Sequence, residues 1–149
     1  MDLQTYVNNA VAASRAATFA KSDQLSLGEL ILKCEAIAAK DYKRSGGEAP
    51  WVEFDFCGAR PVGMDSWRGI YAELAINFEF DGYTHLPDFI KMLKEANGAT
   101  FTGYKGGEFT MSRSTPVWVA NYGKSGATAV IDVVDNGYQV ILITGFREV

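Results

Sequence analysis

Two spacings of apolar residues divide this chain. Up to about residue 40 they recur every three or four positions, and from Trp51 onward every two. The first spacing lines side chains along one stripe of a helix; the second lines them along one face of a strand. Within Asp2 to Lys21 the residues Leu3, Tyr6, Val7, Ala10, Val11, Ala13 and Ala17 form such a stripe and predict a first helix. Leu25-Ser26-Leu27-Gly28-Glu29-Leu30 carries a helix start signal. The Ser26 hydroxyl can accept from the Glu29 amide, the Glu29 carboxylate can reach back, and Leu25 can pack on Leu30 as a staple. A second helix is expected from there to about Lys40, burying Leu27, Leu30, Ile31, Cys34, Ile37 and Ala38. Residues 41–50 are polar, contain Gly46-Gly47 and end on Pro50, which reads as an exposed connection.

Val52, Phe54 and Phe56 then alternate with Glu53 and Asp55. Ile70, Ala72, Leu74, Ile76, Phe78 and Phe80 alternate with Tyr71, Glu73, Ala75, Asn77 and Glu79. Each run reads as a strand with one wet face, and the two are expected to pair. After a turn at Asp81-Gly82-Tyr83, Thr84 and Pro87 open a third helix with Leu86, Phe89, Ile90 and Leu93 inward, ended by Gly98 after Asn97. The last third predicts strands at Ala99 to Tyr104, Glu108 to Met111, Val117 to Asn121, Ala127 to Val134 and Tyr138 to Thr144. Asp135-Asn136-Gly137 supplies the positive φ angles of a tight hairpin. Val140 to Ile143 are apolar on both faces, so that strand should be central and covered on both sides, by the N-terminal helices or by another subunit. The expected fold class is α+β: a mostly antiparallel sheet of five to seven strands packed with two N-terminal helices and one central helix.

A length of 149 residues fits one domain spanning residues 1–149. The formal net charge of −4 excludes a generally basic coat for nucleic acid or a membrane surface. It favours a basic protein surface as partner, including a protein that itself handles nucleic acid. Lys40, Lys43 and Arg44 with Tyr42 make only a small basic patch, read as a solvated loop. The first residues carry no basic leader followed by an apolar run, and no stretch approaches the roughly 18 apolar residues of a span, so the expected location is a cytoplasm. Cys34 and Cys57 are expected as buried thiols rather than a bridge. Three Trp, seven Tyr and nine Phe exceed what one small core needs, which motivates a homo-oligomer.

For chemistry, His85 is the single histidine and precedes Leu86-Pro87, the position of an exposed neighbour of a helix cap. One His and two Cys on separate elements lack the spacing of a zinc site. Glu53 with Asp55, and Glu73 with Glu79, fall on strand faces, where they are either a carboxylate cluster able to hold magnesium or act as acid and base, or the solvated side of an amphipathic sheet. Three glycine-rich bends also carry cations: Ser66-Trp67-Arg68-Gly69, Gly103-Tyr104-Lys105-Gly106-Gly107 and Gly123-Lys124-Ser125-Gly126. Amide nests beside Lys or Arg favour phosphate or carboxylate, though plain hairpin turns look the same. None is a Walker A loop, because Trp118 stands where the first Gly before Gly123-Lys124 belongs.

The runs Asp65 to Gly69, Phe101 to Phe109 and Thr115 to Gly126 resemble small uncharacterised accessory proteins encoded by bacteriophages, over roughly the second half of the chain. That resemblance implies counter-defence in a bacterial cytoplasm and brings no catalytic residues. Three functions stay open. The first is a non-catalytic inhibitor that binds a host protein, such as a nucleic-acid-handling defence complex, through an acidic and aromatic surface. The second is a nucleotide-binding or nucleotide-sequestering protein in which Arg68, Lys105 and Lys124 hold phosphates, with Gly106, Gly107 and Ser125 in the same bends, while Trp67 or Tyr104 stacks on the base. The third is a carboxylate-dependent small enzyme using Glu53, Asp55 and Glu73. No cofactor, metal, membrane or direct nucleic-acid contact is expected.

Overall fold

In the computed structural model, which describes residues 24–40, 49–56, 58–67, 73–103, 106–120 and 128–146, the capping box at Ser26 is closed. The Glu29 amide donates to Ser26 Oγ at 3.2 Å and the Ser26 amide donates to Glu29 Oε1 at 3.0 Å. Helix α1 runs from there over Leu27–Ala38. Helix α2, Leu86–Ala96, has Pro87 in its first turn and stops where Asn97 turns extended and Gly98 takes φ +83°. Its N-cap is His85, whose side chain makes no capping bond. Thr84 does not cap it either: its hydroxyl donates to the Pro61 carbonyl at 2.6 Å.

Among the described residues eight strands accompany two helices. They are β1 (Trp51–Phe54), β2 (Arg60–Ser66), β3 (Leu74–Glu79), β4 (Thr100–Thr102), β5 (Glu108–Thr110), β6 (Val117–Val119), β7 (Thr128–Asp135) and β8 (Gln139–Phe146). Six of them form one sheet in the order β1-β8-β7-β6-β3-β2, while β4 and β5 pair as a separate antiparallel hairpin. The large sheet curls until its two end strands meet, giving a nearly closed barrel. There the Phe54 amide donates to the Ala59 carbonyl at 2.7 Å.

The inner face of this sheet holds the main core. Val52, Phe54, Leu74, Ile76, Val130, Val140 and Leu142 point inward against Leu27, Leu30 and Ile31 of α1 and Leu86, Phe89 and Leu93 of α2. Each such buried side chain is worth about 2 kcal/mol of water avoidance. The ion pairs that tie α1 to the sheet and to α2, Lys33 with Asp132 and Glu35 with Lys94, are 43–55% exposed and contribute well under about 1 kcal/mol each. Apolar burial therefore fixes the helices. Cys34 sits in this core as a free thiol, and Cys57 lies outside the described residues.

Several expectations need correction. The sheet is mixed rather than mostly antiparallel: β1 runs parallel to β8 and β3 parallel to β6, against antiparallel β2-β3, β6-β7 and β7-β8. The strand at Trp51 does not pair with the one around Leu74; it pairs with β8, Phe54 standing opposite Leu142. Strand β2 is unexpected, because Arg-Pro-Val-Gly-Met-Asp-Ser has no apolar alternation, and it is held by its ladder to β3. Two helices, not three, are seen among the described residues; the helix expected at Asp2 to Lys21 lies outside them. The hairpin at Asp135-Asn136-Gly137 is present, with Gly137 at φ +91°, and β8 is buried on both faces between β1 and β7. Among the described residues no helix is long and apolar enough to cross a membrane.

Candidate functional site

The line where β1 meets β2 gathers the most distinctive side chains of the described surface. Gly58, at φ +65°, reverses the chain between the two strands, which sets Arg60 beside Glu53. Arg60 Nη2 and Nε donate to Glu53 Oε1 at 3.1 and 3.3 Å, and Nη1 donates to the Gly82 carbonyl at 3.1 Å. The same guanidinium carbon lies 5.0 Å from the ring centre of Trp51 and 5.5 Å from that of Tyr83. A cation against two aromatic faces contributes about 0.5–2 kcal/mol per ring, depending on how dry the site is. Arg60 is thus a clamp that joins β1, β2 and the turn at residues 81–85.

That turn is fixed from both sides. The Val52 amide donates to the Thr84 carbonyl at 2.9 Å and the Leu86 amide to the Pro50 carbonyl at 2.7 Å. The His85 ring stands edge-on to Tyr83 with centroids 4.7 Å apart, and Tyr83 tilts against Trp51 at 5.3 Å. A Cβ at Gly82 would come within 2.6 Å of Val62 Cγ1, so any larger residue there would force the Val62 side chain to move. Around this turn Phe80 is 62%, Tyr83 53% and Val62 37% exposed, and Glu79 and Asp81 of the same segment are exposed as well.

The carboxylates considered for catalysis do not converge. Glu53 is bound to Arg60. Asp55 accepts from the Thr144 amide at 2.9 Å and from the Thr144 hydroxyl at 2.5 Å. Glu73 accepts from Trp118 Nε1 at 3.0 Å, and Glu79 is exposed. Among the described residues no three His, Cys, Asp or Glu side chains come close enough to hold a metal ion. Burial, helped by the charge of Glu35, pushes the Cys34 thiol up to about 12, so at neutral pH it is a protonated core group and not a nucleophile.

Of the residues considered for nucleotide binding, Trp67 is 2% exposed and stacked flat on Trp118, ring centres 3.8 Å apart. Gly106, at φ +86°, and Gly107 form the β4-β5 turn, in a different sheet from β2, which Trp67 follows. Inside that turn the Gly106 amide donates to the Gly103 carbonyl and the Gly103 amide to the Gly107 carbonyl. Arg68, Tyr104, Lys105, Lys124 and Ser125 lie outside the described residues. Sequence reasoning missed Arg60 and Tyr83. The available signal was a lone Arg before Pro61, a cation at a strand start between an acidic strand and an aromatic turn.

No family model, curated protein or solved structure matches this chain.

Proposed function

We propose that this chain is a non-catalytic binding protein whose contact surface is the aromatic and acidic patch of Val62, Phe80 and Tyr83 with Glu79 and Asp81, and whose partner is a protein with a basic surface. The observation that carries this reading is the exposure of Tyr83 on a turn clamped from both sides and of Phe80 just before it, with exposed acid in the same segment. Exposed apolar groups on a rigid frame are what a protein interface uses as anchors, and a preorganised frame lowers the entropy lost on association. The exposed acid and the net charge of −4 suit a basic partner by attraction during encounter. Glu53, Asp55 and Glu73 each serve a separate structural contact, which supports binding over turnover. In the phage setting implied by the resemblance, the partner is a host defence complex that handles nucleic acid, since such complexes present basic surfaces.

The test is capture from a bacterial lysate with the chain, a Phe80→Ser, Tyr83→Ser variant, and a Tyr138→Ser control. One stoichiometric partner is expected, held by the control and weakened at least about tenfold in the patch variant, with Glu79→Lys and higher salt also weakening it. A partner held equally by the patch variant, or no partner at all, overturns the reading. A melting temperature raised by one member of a nucleotide panel, with no protein captured, favours the nucleotide alternative.

A further inference from the structure

Arg60 shows how this surface holds a cation, and groups of the same kinds remain exposed next to it. Each nitrogen of its guanidinium already donates, Nε and Nη2 to Glu53 and Nη1 to the Gly82 carbonyl, and its carbon lies against the Trp51 and Tyr83 rings. None of those bonds goes to Glu79. Yet Glu79 stands directly opposite Arg60 in the β2-β3 register, and residues opposite each other in an antiparallel pair share a sheet face. The Glu79 side chain is exposed and makes no ion pair among the described residues.

Tyr83 supplies a ring on the same turn. It contacts Arg60, Trp51 and the edge of His85, and still remains half-exposed. Gly82 links the two residues: a Cβ placed on it would lie 3.5 Å from Glu79 Cβ, so the chain just before Tyr83 packs against Glu79. The turn is held in place by the bond from the Val52 amide to the Thr84 carbonyl. An unpaired carboxylate and an open aromatic ring on a fixed turn are the kinds of group that Arg60 itself finds in Glu53 and Trp51. Charge points the same way, since Glu53, Glu79 and Asp81 outnumber the single cation of Arg60.

We propose that Glu79 and the open surface of Tyr83 receive an arginine side chain of a partner protein, its plane laid on the ring and its N–H groups donated to the carboxylate. Arg60 is then a positioning residue that fixes the turn. Arginine is favoured over lysine because a planar guanidinium stacks on a ring and binds a carboxylate by two N–H groups at once, whereas an ammonium is a compact and strongly hydrated point charge. This rests on the contact patch proposed above and names the side chain that the patch reads.

Calorimetric titration of the full chain with end-blocked hexa-arginine and hexa-lysine peptides, at matched low salt, tests this. Hexa-arginine is expected to bind at least about fivefold tighter than hexa-lysine. Glu79→Gln and, separately, Tyr83→Leu should each remove that preference, while Glu108→Gln, which takes an exposed carboxylate from β5, should leave it intact. Equal affinity for the two peptides, no binding of hexa-arginine, or a preference that survives Glu79→Gln overturns the proposal. Glu79→Gln alters an exposed side chain, so it decides alone should Tyr83→Leu fail to fold. A partner captured through Phe80 and Tyr83 while the two peptides bind alike removes the arginine reading and leaves the contact patch standing; absence of both removes both.

Discussion

The β7-β8 ladder and the β1-β2 seam both join neighbouring strands of one curled sheet, by opposite means. β7 and β8 are laced by backbone from Thr128 opposite Phe146 to Asp135 opposite Val140, and the turn adds Asn136 Oδ1 accepting from the Tyr138 and Gln139 amides. The seam has the backbone bond of Phe54 to Ala59, a relay from Val52 through Thr84 to Pro61, and the clamp of Arg60, held by Glu53, Trp51, Tyr83 and the Gly82 carbonyl. Backbone pairing is indifferent to most side chains; a side-chain clamp is not. The proposed contact patch sits on the clamped region, so its rigidity depends on a few residues and not on the sheet as a whole.

Leu142→Ala should show where the two regions cease to be separate. Leu142 is fully buried and stands opposite Phe54 on one side and Val133 on the other, so its truncation should cost about 2–5 kcal/mol in urea unfolding and open both regions together. Arg60→Met should divide them. It leaves Glu53, 15% exposed, without its cation and takes the charge from both rings, a loss of about 2 kcal/mol read as faster amide exchange at Phe54. Val133 and Val134 should exchange as before. Equal acceleration on both sides would mean the seam has no stability of its own.

Gly137→Ala tests the ladder by its turn. A side chain at φ +91° costs about 1–2 kcal/mol, and partner capture through the patch should be unchanged. The smallest effect concerns Cys34, which belongs to neither region. Its folded pKa, pushed up to about 12 from an ordinary 9.0 by burial and then by Glu35, means the folded protein holds a proton that the unfolded chain gives up. Its contribution is complete below pH 9 and is lost as pH rises from 9 toward 12, by about 1.4 kcal/mol per pH unit. Cys34→Ala should flatten that slope in urea titrations between pH 8 and about pH 10. An unchanged slope would assign the alkaline loss to other groups.

What the sequence revealed follows the same division. The capping box at Ser26 and Glu29, the end of α2 at Gly98 and the Asp135 to Gly137 hairpin were legible because each is specified within a few residues. The two-sided burial of β8 was legible from Val140 to Ile143 alone. The parallel pairing of Trp51 with Gln139 was not, because both partners read simply as strands and nothing local says which strand neighbours which. Strand β2 was invisible because Pro61 and Gly63 break its pattern, and its ladder to β3 also shifts register there. The candidate surface was partly legible. An acidic and aromatic character was expected, but Arg60 and Tyr83 meet only after the sheet has curled, and Trp67, singled out as a stacking residue, stacks on Trp118 instead of standing open.

Because β8 supplies the neighbour of both β1 and β7, the order of synthesis constrains the order of assembly. A growing chain can build α1, α2 and the β2-β3 hairpin early, yet β1 has no ladder partner until residues 139–142 have been made. Sheet closure is thus a late event joining distant parts of the chain, the kind of topology that folds slowly and leaves a strand edge unprotected meanwhile. A ribosome stalled just before Gln139 would display Val52 and Phe54 unsheltered, and chaperone engagement on such a stalled chain should fall away once β8 is added.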